Sequence, residues 1–208
     1  MTIEKLSLSP DRAGRYLTRF DDGTVLRLYR QTVEDFGLYT GKELTNEEFQ
    51  QLQLAAEKMS AKMRAVRIVS ATGVSKKDLQ QRLIRKGETP ESAKDAVEWM
   101  AQLDLIDDRK TAQQVVSSCI RKGYGIARAK QALYEKRLPR ELWEDALIDY
   151  PDQMEYIRSY LTEKLPAEPE QREVRRVIDA LIRRGHPYSL IRKCLSQLSV
   201  DAEDLPED

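Results

Sequence analysis

Cysteine, histidine, aromatic residues and net charge are all scarce in this chain, and each scarcity removes a class of function. Only two cysteines occur, Cys119 and Cys194, far apart and without a CxxC spacing. Neither a disulfide scaffold nor a zinc site is indicated. Both fall on apolar helical stripes and read as small buried hydrophobes. The single histidine, His186, precedes a proline in a turn, and no nearby acid or nucleophile marks it as a base. The pair Gly123-x-Gly125 is followed neither by a third glycine nor by Gly-Lys-Ser/Thr, so it makes no phosphate loop and reads as a relaxed turn. Asp107-Asp108 could hold a metal, but the capping of a helix is the simpler use. No catalytic constellation is left, and the expectation is a protein without enzymatic activity, cofactor or metal. No apolar run approaches the roughly 18 residues of a membrane span. The opening MTIEKLSLSPDR lacks the hydrophobic region of a signal peptide. A soluble, cytoplasmic protein is expected. Thirty-five basic and thirty-five acidic residues cancel. No global field draws the chain to nucleic acid or membrane, so any such attraction must be local.

What is present is helix, in long amphipathic stretches. Charged residues make up 34% and aromatic residues 7%. In the stretch Ser75 to Asp108, Leu79, Leu83 and Ile84 mark one apolar stripe. Ala93, Ala96, Val97, Met100 and Ala101 mark a second, both at the i, i+3, i+4, i+7 spacing. Ser75 with Asp78 resembles a capping box. Gly87 can end the first helix in a left-handed conformation. Thr89-Pro90-Glu91 supplies a hydroxyl cap, a proline whose missing N–H costs nothing, and an acid at the positive helix end. Residues 1–45 differ. Tyr16–Phe20 and Thr24–Leu28 are strand-like and flank Asp21-Asp22-Gly23, a hairpin signal. Ile3, Leu6 and Leu8 suggest a third strand. A short helix spans Gln31 to Phe36. Thr45-Asn46-Glu47-Glu48 opens a helix that runs past Val69, compatible with one long helix or with a break near Met59 to Lys62.

Three segments align around a turn: LIRKGETP from Leu83, LYEKRLPR from Leu133 and LIRRGHPY from Leu181. Gly87, Arg137 and Gly185 then share one position. The period of about 50 residues predicts one three-helix unit stacked on copies of itself. The expected organisation is an N-terminal β-hairpin and short helix (1–45), three-helix repeats at 46–107, 108–150 and 151–199, and an acidic disordered tail at 200–208. The fold class is mainly α, with tandem three-helix repeats in an elongated stack and a small N-terminal sheet.

Charge is segregated along the chain. Lys58 to Lys86 holds nine bases and one acid, Arg121 to Arg137 six bases and one acid, and Arg172 to Lys193 seven bases and two acids. Glu91 to Asp108 and Glu141 to Glu155 hold six acids each. Balance between neighbouring helices explains such a pattern without any ligand. The functional alternative is a basic stripe suited to phosphate backbone or an acidic protein groove. Its candidate contacts are Arg82, Arg85, Lys86, Arg121, Lys122, Arg128, Lys130, Arg172, Arg175, Arg176, Arg183, Arg184, Arg192 and Lys193. No aromatic platform accompanies the stripe, which argues against single-strand binding by base stacking.

With its hairpin, its tandem three-helix units, the run LQQRLIRKG, a third helix ending LDLIDD and RKGYGIARAKQALYEKRL, the chain resembles the RecX regulatory proteins, modulators of the RecA recombinase. The likeness is most specific from Leu79 to Leu138. It implies a non-enzymatic regulator that binds RecA filaments on single-stranded DNA, with contact to the DNA itself left open; a monomer is the default expectation. It also implies lowered ATPase and strand-exchange activity in recombination, DNA repair and the SOS response. Three stacked units with helices ~10 Å apart would span roughly 50–60 Å, enough to bridge neighbouring filament subunits. Two other readings stay open, a helix-turn-helix-like DNA-binding protein and an α-solenoid scaffold for protein interaction. Charge reversal of Arg175, Arg176, Arg183 and Arg184 is expected to weaken filament inhibition without unfolding the chain.

Overall fold

Hydrophobic alternation at the N-terminus produces a small antiparallel sheet. In the computed structural model, which describes residues 1–10 and 14–198, strands β1 (Ile3–Leu8), β2 (Arg15–Phe20) and β3 (Val25–Tyr29) pair in the order β1-β2-β3. The hairpin register sets Arg19 opposite Val25 and Leu17 opposite Arg27. Gly23 turns the chain with φ at 82°. The predicted third strand is present, pairing Lys5 with Arg19 and Ser7 with Leu17. One sheet face buries Ile3, Phe20 and Leu28. A three-stranded sheet needs a partner for that face. The partner comes from α1 (Arg30–Asp35), Leu38, Leu44 and the first turns of α2 (Asn46–Ala71). There Phe49 meets the Phe20 ring edge-on at 5.0 Å.

The helix α2 is continuous over 26 residues, about 39 Å. Its start is a complete capping box: the Glu48 amide donates to Thr45 Oγ1 at 3.1 Å, and the Thr45 amide donates to Glu48 Oε2 at 2.8 Å. Its first half closes the sheet core through Leu52. Its second half, through Ala61 and Ala65, joins α3 (Lys76–Arg85) and α4 (Pro90–Gln102) in a second core with Leu79, Leu83, Ala96 and Met100. Small residues on α2 let α4 approach closely. Ser75 Oγ accepts from the Asp78 amide at 3.1 Å, the hydroxyl half of the expected capping box, while the Asp78 carboxylate pairs with Arg82; Thr89 Oγ1 accepts from the Ser92 amide at 3.2 Å, as the sequence predicts.

Helices α5 (Asp108–Arg121), α6 (Ile126–Glu135) and α7 (Trp143–Leu147), the last entered through a 3₁₀ turn at Arg140–Leu142, pack around Ala112, Val116, Leu133 and Leu138. Asp107 caps α5, its carboxylate accepting from the Arg109 and Lys110 amides. Helices α8 (Gln153–Lys164), α9 (Gln171–Arg183) and α10 (Tyr188–Gln197) enclose Ile157, Leu161, Val174, Ile178, Leu181, Ile191 and Leu195. Two compact units result, Met1–Ile106 and the remainder from Asp107. The acidic tail expected at 200–208 lies outside the described residues.

Three helix ends share one geometry. Leu83, Leu133 and Leu181 each accept, through their carbonyl, a hydrogen bond from the residue five places on: Glu88, Leu138 and His186. The residue between is left-handed each time, with φ of 91° at Gly87, 57° at Arg137 and 85° at Gly185. This is a Schellman closure, which satisfies carbonyls that the helix leaves open. The sequence alignment therefore superposes equivalent turns, including the position where arginine replaces glycine.

Candidate binding surface

The basic residues singled out from the sequence do not all meet the solvent alike. In the first unit, Arg82 pairs with Asp78 at 2.9 Å and is half-buried, while Arg85 and Lys86 are exposed. Much of the neighbouring positive charge is internally balanced. Arg64 meets Glu88 at 2.8 Å, where the Glu88 side chain is only 8% exposed and also accepts from Ser60. Lys58 meets Asp95 at 3.0 Å. Arg121 and Lys122 are exposed at the end of α5, where positive charge suits the helix dipole. On α6, Lys130 is exposed and Arg128 is half-buried, 3.5 Å from Glu135.

The densest group stands on α9. Val174, Ile178 and Leu181 bury one side of it. At 100° per residue, Arg172, Arg176 and Arg183 then fall in a single row on the opposite side, with Arg175 flanking it. All are exposed and without an ion pair among the described residues. The row extends about 16 Å along the helix. Arg192 and Lys193 are exposed on α10. Arg184 is withdrawn from this set. Its guanidinium donates to Tyr156 Oη at 2.7 Å and lies 4.9 Å from the centre of the Tyr160 ring.

Arg184 belongs to a junction that the sequence does not announce. The turn between α5 and α6 meets the turn between α9 and α10. The Gly125 amide donates to the Arg184 carbonyl at 2.8 Å, and the Ile126 amide to Gln153 Oε1 at 3.2 Å. His186 Nε2 lies 3.2 Å from the Gly123 carbonyl. A carbonyl can only accept, so Nε2 carries the proton. Nδ1 is then an acceptor, buried with no partner among the described residues. Burial pushes the His186 pKa below its usual value, and Arg184 pushes the same way against the Gly123 hydrogen bond. The ring stacks on Tyr156 at 5.1 Å, and Tyr156 on Tyr160 at 6.1 Å. A cavity of about 80 Å³ opens beside them, lined among others by Tyr124, Tyr150 and His186. Tyr150 Oη donates to the Tyr124 carbonyl at 2.7 Å, and burial pushes its pKa up to about 12. The only sequence signal for this aromatic group was the i, i+4 spacing of Tyr156 and Tyr160.

Both cysteines are buried, and burial raises the pKa of each thiol. Among the described residues, no helix is long and apolar enough to cross a membrane.

Comparison with known proteins sets this geometry in a family. Residues 107–147 match the model of the RecX second three-helix domain. The regulatory protein RecX of Chlorobaculum tepidum is 33% identical over 141 residues, which cover 66% of this chain and 87% of that protein. The chain belongs to the RecX family. The regulatory protein RecX of Clostridioides difficile is 25% identical over 94% of this RecX-family chain and 93% of its own length. A crystal structure of a regulatory protein RecX superposes with a TM-score of 0.65 at 21% identity, over 92% of this chain and 98% of that one. The crystal structure of RecX from Lactobacillus salivarius gives 0.59 at 22%, over 70% and 98%. The mainly helical fold with a small N-terminal sheet is thus that of RecX.

Proposed function

We propose that this chain is a non-enzymatic regulator that binds RecA filaments assembled on single-stranded DNA and lowers their ATPase and recombinase activity. It acts as a monomer in the cytoplasm. The helix sets α2–α4, α5–α7 and α8–α10 serve as three tandem units that present the contact surface. The observation that carries this reading is the arginine row of α9. Four guanidinium groups stand on or beside one line without an ion pair among the described residues, in a chain of a family whose members are named regulatory proteins. Such a row suits an acidic protein groove or a phosphate backbone, with binding that weakens in salt. Arg85, Lys86, Arg121, Lys122, Lys130, Arg192 and Lys193 are secondary contacts, being exposed but scattered. The test is RecA's DNA-dependent ATP hydrolysis with substoichiometric protein. A fall in rate and in filament length supports the reading, and unchanged rates and lengths refute it.

A further inference from the structure

Lysine and arginine dominate the charge on the solvent face of the N-terminal sheet. Strand alternation sends Ile3, Thr18, Phe20 and Leu28 inward, where they are buried. The same alternation sends Arg15, Leu17 and Arg19 of β2 outward. The register adds Lys5 beside Arg19 and Arg27 beside Leu17. Lys5, Arg19 and Arg27 are exposed and have no ion pair among the described residues. Arg15 stands at the far end of the same strand, its guanidinium 6.0 Å from the Tyr29 ring centre. Glu4, at the bulge between Ile3 and Lys5, is the one exposed acid on the three strands. Lys5 and Arg19 are directly opposed, an arrangement that places like charges roughly 5 Å apart at Cβ and destabilises a free sheet. Such an arrangement is relieved when an anion sits on it.

We propose that this face is a second, independent interaction surface, and that its partner is the phosphate backbone of duplex nucleic acid. The cations extend about 13 Å along β2 and about 10 Å across the three strands. That is a flat grid suited to a rigid, regularly charged rod, which carries one charge per ~1.7 Å of axis. Proteins that hold single strands combine a basic groove with exposed aromatic rings on which the bases stack. This face offers none, since its one outward aromatic, Tyr29, is buried. Recognition here is of charge and shape, without base readout.

The test is fluorescence anisotropy of the full-length chain with a labelled duplex and the matching single strand, each over a salt series and without RecA. In the triple variant Lys5→Thr, Arg19→Thr, Arg27→Thr, duplex affinity falls at least tenfold at low salt. The slope of log K against log salt becomes shallower by about 0.9 per lost contact. The thermal midpoint is unchanged or higher, because opposed like charges are gone. The charge-preserving variant Arg19→Lys, Arg27→Lys keeps the wild-type slope and guards against misfolding as the cause. Unchanged duplex affinity and slope in the triple variant overturn the proposal. So does a loss confined to the single strand, and so does a loss of RecA inhibition with duplex binding intact, which would make the partner a protein. Because RecA is absent from the binding assay, its failure is distinct from failure of the regulator reading.

Discussion

At the scale of single residues, the left-handed turn positions are where the backbone decides the outcome. Gly87 and Gly185 occupy equivalent places with φ of 91° and 85°, and alanine at either pays the left-handed penalty of roughly 1–2 kcal/mol. Their surroundings differ. A Cβ on Gly87 meets nothing, whereas one on Gly185 falls 2.6 Å from the backbone nitrogen of Arg128. Gly185→Ala is therefore expected to destabilise by at least about 1 kcal/mol more than Gly87→Ala, read from urea midpoints; equal losses would show that the two turns do not pack as differently as the geometry requires. His186 gives the second prediction at this scale. Its folded pKa is depressed, so the unfolded chain binds the proton more readily. Stability from this residue is complete above the unfolded value near 6.5 and is lost as pH falls from there toward the folded pKa. His186→Gln keeps a donor for the Gly123 carbonyl and is expected to flatten that dependence. The chain has one histidine, so its ring proton resonance reports the titration directly, and a midpoint at or above the ordinary value would contradict the burial argument.

At the scale of elements, periodicity and caps carried most of the fold. Thr45, Ser75, Thr89 and Asp107 cap the helices that their side chains announce, because capping is a local interaction spanning three residues. The continuity of α2 was not legible. That helix serves two different cores, so its buried face shifts partway along and its stripe looks interrupted near Met59. The Gly125–Arg184 hydrogen bond and the stacking of His186 on Tyr156 were not legible either, since they join segments 59 and 30 residues apart that only tertiary packing brings together. Likewise, a base count by segment could not separate Arg184, spent on Tyr156 and Tyr160, from the free arginines of α9. Charge reversal of α9 is accordingly best carried by Arg172→Glu, Arg175→Glu, Arg176→Glu and Arg183→Glu. Glutamate and arginine have similar helix propensities and these sites are exposed. Stability is expected to stay within about 0.5 kcal/mol per site. The concentration for half-inhibition of RecA's ATPase is expected to rise at least about tenfold, or ~1.4 kcal/mol of binding. Inhibition at the wild-type level would remove α9 from the contact.

At the scale of the whole molecule, a net charge of zero conceals segregation, and segregation in a chain of two compact units gives each unit its own physics. The first unit holds both the sheet core around Phe20 and the helical core around Leu83, joined by α2. The second holds the cores around Leu133 and Leu181, tied by the junction of the two glycine turns. Each unit thus buries its own apolar stripes and satisfies its own turn carbonyls, which is what independent folding demands. Severing the chain between Ile106 and Asp107 breaks the boundary just before the Asp107 cap and no core contact within either unit. The fragments 1–106 and 107–208 are each expected to unfold cooperatively, with stabilities of about 5 kcal/mol or more. Their helical circular dichroism should sum to that of the intact chain. A fragment with a broad, non-cooperative transition would mean that its cores are completed by the other unit. The arginine row of α9 and the cationic sheet would then be faces of one folding unit rather than of two.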